Sequence, residues 1–168
     1  MAEISKVVSR EHIHDVAGLA REIWTQHYVP IIGQQQVDYM LEKFQSEVAI
    51  AEQIATGYEY YVISHEAERQ GYMAIVPDVD NGTAMLSKIY VRAGCRGLGL
   101  GQIMLAFAEA TCNERGISRL WLTVNKHNLD TLTWYLRRGF SNQGPIVQDI
   151  GGGFIMDDFR LEKLTATR

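Results

Sequence analysis

Apolar positions change their period several times along the chain, and each change marks an element. Residues 3 to 8 alternate polar and apolar as a short strand, and Val16, Leu19, Ala20 and Ile23 then recur at helical spacing behind Asp15. Pro30 and Gly33 punctuate the next stretch, after which Val37, Met40, Leu41 and Phe44 repeat the helical spacing, and a further helix runs from Val48 to Ile54 with Gly57 at its end. Aromatic and β-branched residues then take over. They predict a three-strand antiparallel meander over Tyr58 to Ser64, Gly71 to Val76 and Thr83 to Val91, with turns at Glu66 to Gln70 and Asp78 to Gly82.

Beyond the meander, a glycine-rich turn leads into a helix with Leu100, Ile103, Met104, Phe107 and Ala110 on its apolar face, ending near Gly116. Leu120, Leu122 and Val124 mark a strand. Asn128 is placed to cap a short helix with Asp130 in its first turn, Leu129, Leu132 and Leu136 on one face and Gly139 at its close. Two last strands, Phe140 to Ile150 and Phe154 to Leu164, are joined by a hairpin at Gly151-Gly152-Gly153.

With 168 residues, 46% of them hydrophobic, the chain has material for one full core, and it is read as a single domain over 1–168. A formal charge of −4 leaves no net positive field for phosphodiester backbones, so nucleic acid is not an expected partner. Neither a signal-peptide pattern nor an apolar run of about 18 residues occurs, so no membrane association is expected and a cytoplasmic location is the default. Cys95 and Cys112 form no Cys-x-x-Cys pair, and the histidines lack ligand spacing, so neither disulfides nor a metal are expected.

The chemistry concentrates at Arg96-Gly97-Leu98-Gly99-Leu100-Gly101. Alternating glycines between a strand and a helix let successive N–H groups converge, and the helix dipole acts on the same spot, so an anion such as a diphosphate fits there beside Arg96. Two other glycine motifs fail on the letters. A dinucleotide fingerprint needs glycine at position 102 or 104, where Gln102 and Met104 stand, and a triphosphate loop needs Gly-Lys-Ser/Thr, whereas Gly101 precedes Gln102. A turn that merely lets helix and strand pack is the structural alternative.

The run from Ile89 to Gly101 resembles the acyl-CoA signature of the GNAT superfamily of N-acetyltransferases, with Arg96, Gly99 and Gly101 on its Arg/Gln-x-x-Gly-x-Gly/Ala pattern. Asn125, Asn128, Tyr135, Gly139 and Phe140 are similar to that superfamily's later element, an Asn-led helix carrying a tyrosine and ending in Gly-Phe. The resemblance spans residues 3 to 164. It implies an α+β fold, layered α/β/α: a mixed, mostly antiparallel seven-strand sheet flanked by helices, with a V-shaped opening between the strands at 83–91 and 119–124. It also implies acetyl-CoA as co-substrate. Gly97, Leu98, Gly99, Leu100, Gly101 and Gln102 would hold the pyrophosphate with Arg96. The backbone of Ile89, Tyr90 and Val91 would pair with pantetheine like an added strand, and Asn125 and Asn128 would contact the cofactor. Homodimers are common in that superfamily, so a homodimer is a further expectation.

Acetyl transfer to nitrogen needs a neutral amine, stabilisation of the oxyanion and a proton for the departing thiolate. Tyr135 is the candidate acid, since a phenol with ordinary pKa about 10 stays protonated at neutral pH. The oxyanion donor would be a backbone N–H near Ile89 or Tyr90. Some relatives carry a carboxylate base on the strand before the glycine turn, but Thr83 to Val91 contains neither Asp nor Glu. His27, Tyr28, Glu47 and Glu59 are therefore candidate acceptor-side residues acting through water, and Asp157 and Asp158, read as exposed on the last strand, are candidates for holding a cationic substrate. The expected acceptor is a primary amine, either a polyamine-like small molecule or a peptide or protein amine. A non-catalytic acyl-CoA sensor acting through a protein partner is the rival reading.

Overall fold

The computed structural model describes residues 1–165 and contains seven strands, five α-helices and two short 3-10 turns among them. In chain order the elements are β1 (Ala2–Lys6), α1 (Arg10–Ile32), α2 (Gln34–Phe44), α3 (Glu47–Ala55), β2 (Glu59–His65), β3 (Glu68–Asp78), β4 (Thr83–Val91), α4 (Leu100–Glu114), β5 (Arg119–Asn125), α5 (Leu129–Arg137), β6 (Ser141–Gly151) and β7 (Phe154–Leu164). The strands form one mixed sheet in the order β1-β2-β3-β4-β5-β7-β6. β4 and β5 run parallel, paired over Thr83–Met85 and Arg119–Trp121, and parallel neighbours need a crossover, which α4 supplies. The pairs β1 with β2, β2 with β3, β5 with β7 and β6 with β7 are antiparallel.

Two compact units make up the chain, one of residues 1–76 and 88–108 and the other of residues 77–87 and 109 onward. The first unit's core gathers Val16, Ala20, Ile23 and Trp24 of α1, Val37 and Leu41 of α2, Ile50 of α3, and Tyr60, Ile63, Tyr72, Met73 and Ile75 of β2 and β3. The second unit buries Ala84, Cys112, Leu120, Leu122, Tyr135, Phe140 and Leu161.

Several boundaries differ from those the pattern predicts. α1 starts at Arg10, capped by the Ser9 hydroxyl accepting from His12 N–H, while Asp15 lies inside the helix and pairs with Arg69 at 3.1 Å. The true cap precedes the apolar stripe by two turns, because the first part of the helix is half exposed and carries no periodic signal. Pro30 does not end α1; it sits in the last turn, where the ring removes only one hydrogen bond. The turn between β2 and β3 is just Glu66 and Ala67, with φ of 52° and 66°. Nothing in the letters Glu-Ala announces a left-handed pair.

The apolar stripes also rotate. On α4 the buried apolar positions are Leu100, Met104, Leu105, Ala108 and Cys112, while Ile103 is exposed. On α5 Leu129 and Leu136 are exposed, and Tyr135 is the residue that packs inward. Asn128 precedes α5 but its side chain caps no helix N–H.

Candidate active site

The glycine turn belongs to the first unit. Cys95 N–H donates to Arg92 O at 2.9 Å as the chain leaves β4, and Gly97 and Gly99 then take φ of 90° and 76°. A residue with a Cβ resists such values. A Cβ built at either glycine would meet no heavy atom within 4 Å. Close packing of helix on strand therefore does not explain these glycines; backbone direction does. Ile103 N–H donates to Gly99 O at 3.0 Å, which makes Gly99 the first acceptor of α4. The N–H groups of Leu100, Gly101 and Gln102 then lie in the first turn, where no earlier turn exists to accept them. Arg96, Gly97, Leu98, Gly99 and Gln102 are exposed, and Leu100 is the buried anchor. Open amides at a helix start, a left-handed pair of glycines and an exposed guanidinium fit the diphosphate of coenzyme A.

Ile89, Tyr90 and Val91 are half-buried at the end of β4. A Cβ on Gly71 would collide with the Tyr90 carbonyl oxygen and lie 3.3 Å from Val91 Cα, so glycine at 71 permits this approach of the two backbones. The Tyr90 ring packs against Trp24, Tyr28 and Tyr72, with centroids 5.5, 6.3 and 5.5 Å away. Tyr28 also stacks on Trp24 at 4.4 Å and meets His27 edge-on at 4.8 Å. The fold thus brings Tyr28 to Tyr90, with His27 against Tyr28. Of the two glutamates, Glu47 pairs with His14 at 3.1 Å, and Glu59 accepts from the Tyr61 hydroxyl at 3.0 Å. The Glu47 carboxylate raises the His14 pKa through its hydrogen bond and charge.

Two polar arrangements of this unit escape a motif reading. Arg92 grips Glu22 bidentately at 2.6 and 2.8 Å, tying α1 to the start of the glycine turn; that hydrogen bond lowers the carboxyl pKa of Glu22 and raises that of Arg92. Lys88 is 6% exposed and donates to Phe44 O at 2.7 Å, to Gln53 Oε1 at 2.8 Å and to the Tyr60 hydroxyl. Burial pushes its ammonium down to about 7 and the Tyr60 phenol upward. One signal was available: Lys88 shares the strand parity of Ala84 and Leu86, both buried.

The second unit carries the remaining candidates. Tyr135 is buried, edge-on to Trp134 at 5.0 Å and Phe140 at 5.3 Å. Asn125 Oδ1 accepts from His127 N–H at 2.9 Å, and its carbonyl accepts from Asn128 N–H at 3.0 Å, which shapes the turn into α5; Asn128 itself is buried. Asp157 pairs with Lys126 at 2.9 Å. Asp158 is not the exposed carboxylate that strand position suggests: it is 4% exposed, and burial raises it to about 6 against a hydrogen bond from the Thr123 hydroxyl. Among the described residues no three His, Cys, Asp or Glu side chains group as metal ligands, and no helix is long and apolar enough to cross a membrane.

Comparison with known proteins places this geometry. Residues 18–140 match the model of the acetyltransferase (GNAT) family. An uncharacterized N-acetyltransferase in the pepI 3' region of Lactobacillus delbrueckii subsp. lactis is 28% identical over 163 residues, covering 93% of this chain and 94% of that protein. The 5-NmdU N-acetyltransferase of Pseudomonas phage PaMx11 is 35% identical over 92 residues, 55% of this chain and 61% of the phage protein. Among solved structures, the PaiA N-acetyltransferase from Thermoplasma acidophilum, in complex with coenzyme A, superposes with a TM-score of 0.81 at 21% identity, covering 98% of this chain and 99% of that one, which is a likeness of fold. A family match over most of the chain, on a sheet of this order with a left-handed glycine pair opening α4, identifies the protein as a member of the acetyltransferase (GNAT) family and an N-acetyltransferase.

Proposed function

We propose that the protein transfers the acetyl group of acetyl-CoA to a primary amine by direct attack of the amine within a ternary complex. The observation that carries the cofactor part is the pair of positive φ values at Gly97 and Gly99 in open space at the start of α4. In this reading Gly97 to Gln102 and Arg96 hold the pyrophosphate, Ile89 to Val91 offer their backbone to pantetheine, and Asn125 and Asn128 contact the cofactor. Tyr135 returns a proton to the thiolate sulfur as the carbon–sulfur bond breaks. Direct attack is favoured over an acetyl-cysteine intermediate because Cys95 Sγ donates to the Gln70 amide oxygen at 3.0 Å, and an amide is no base for a nucleophile.

The acceptor is a small-molecule amine, polyamine-like, or a peptide amine. Tyr28 and Tyr90, both half-buried, are aromatic rings of the kind that attract an alkylammonium group. Calorimetry with acetyl-CoA, followed by a panel of primary amines monitored by free-thiol release, tests both halves. Micromolar binding with turnover of at least one amine is expected; absence of binding at millimolar acetyl-CoA would end the proposal.

A further inference from the structure

The backbone bonds inside the glycine turn are local. Cys95 N–H donates to Arg92 O at 2.9 Å, Arg96 N–H to Ala93 O at 3.3 Å and Leu98 N–H to Cys95 O at 3.4 Å. Gly94, Gly97 and Gly99 add conformational freedom. Ordering such a stretch costs backbone entropy, so its amides stay convergent only if its ends are fixed. Downstream the fixed point is the buried Leu100. Upstream it is Arg92, the first residue after β4. Arg92 N–H donates to Gln70 O at 2.8 Å, and its guanidinium forks onto Glu22 of α1 at 2.6 and 2.8 Å. Cys95 Sγ donates to the Gln70 amide oxygen at 3.0 Å, so β3 grips the turn through that same glutamine. Glu22, Gln70, Arg92 and the whole turn belong to the first unit.

The side chains of Arg92 and Glu22 are 36% and 38% exposed, and a pair so hydrated adds little to stability. What two parallel bonds add is direction, which a point charge does not supply. We propose that the Glu22–Arg92 pair positions the cofactor site: by clamping the first residue of the turn to α1, it holds the amides of Gly97 to Gln102 in the arrangement that receives the diphosphate of acetyl-CoA. The proposal rests on the acetyl-transfer reading, which gives those amides to the pyrophosphate. A loop held in its bound shape binds more tightly, because less ordering remains to be done. Arg92 is a positioning residue and not a phosphate ligand. Its Nε and Nη2 are both on Glu22, so the fork that would grip a phosphate is occupied, whereas Arg96 is exposed. The two roles differ in the sign of one substitution. Were Arg92 a direct ligand, Glu22 would compete for it, and Glu22→Gln would tighten cofactor binding. As a clamp, the loss of Glu22 weakens it.

The test measures acetyl-CoA affinity by calorimetry on the full chain for wild type, Glu22→Gln, Arg92→Gln and the double variant. Asp15→Asn is the control, because Asp15 also ties α1 to β3, through Arg69 at 3.1 Å rather than through the turn. Each single substitution in the pair is expected to weaken acetyl-CoA about tenfold, the double variant no more than either single, with the thermal midpoint falling by only a few degrees. Dephospho-CoA, which lacks the 3′-phosphate and keeps the diphosphate, should lose affinity for Glu22→Gln by the same factor. The control should bind as wild type does. Affinity unchanged or tightened in Glu22→Gln would overturn the proposal, as would additive losses in the double variant. So would a loss absent with dephospho-CoA, which assigns Arg92 to the 3′-phosphate, or an equal loss in Asp15→Asn, which marks a general loosening of α1. If wild type itself does not bind acetyl-CoA, the acetyl-transfer reading fails and the clamp falls with it.

Discussion

Lys88 Nζ donates to the carbonyl oxygen of Phe44 at 2.7 Å, so a buried ammonium on β4 closes the C-terminal end of α2. Three oxygens favour the charged form while burial opposes it, and burial prevails in setting the pKa near 7 against an ordinary 10.5. Between those values the folded protein has lost the proton that the unfolded chain keeps. The unfolded state therefore binds more protons, and stability should rise with pH from about 7 to about 10.5, with a slope of up to about 1.4 kcal/mol per pH unit. Below about 7 both states are protonated and the cost of the buried charge is constant. Urea unfolding of wild type and Lys88→Met across pH 6.5 to 9.5, pH values chosen to bracket the about-7 titration, checks this: the rise should be absent in the variant.

Removing the ammonium outright has a separate effect. Lys88→Ala removes one of the two donors to Phe44 O and to Gln53 Oε1, which keep the Gln53 amide and the Tyr60 hydroxyl, and opens a cavity, for a loss of about 3 kcal/mol at pH 7. A loss below about 1 kcal/mol in chemical denaturation would mean that water replaces the lysine.

Gly71→Ala forces a methyl group against the Tyr90 carbonyl and Val91 Cα, both backbone atoms that cannot turn aside. A destabilisation of about 2–3 kcal/mol is expected. Since the same contact sets the end of β4, weaker acetyl-CoA binding should accompany it, measured by calorimetry on the folded variant.

Gly99→Ala acts differently, because its Cβ would enter open space and only the backbone resists, at about 1–2 kcal/mol for φ of 76°. Acetyl-CoA affinity should fall at least tenfold while the thermal midpoint drops by only a few degrees. An equal loss of stability with undiminished affinity would remove the turn from the cofactor site.

Tyr135→Phe retains the ring contacts to Trp134 and Phe140 and deletes one hydroxyl. Acetyl transfer should slow at least tenfold with acetyl-CoA affinity intact, which single-turnover thiol release can separate from binding. Indistinguishable rates would deny the phenol its role as acid.

Local sequence was sufficient for the order of elements and for the glycine turn, because strand alternation, helical spacing and the demand for left-handed backbone are properties of a few neighbouring residues. Gly97, Gly99 and Tyr135 could be named on that basis together with a family likeness. Which face of α4 and α5 turns inward, the cap at Ser9, the closeness of Gly71 to Tyr90, and the burial of Lys88 and Asp158 depended on contacts between segments distant in the chain. A carboxylate or an ammonium looks the same in one dimension whether water or protein surrounds it. Only tertiary packing sets its solvation, and with it the pKa and the chemistry that the side chain can perform.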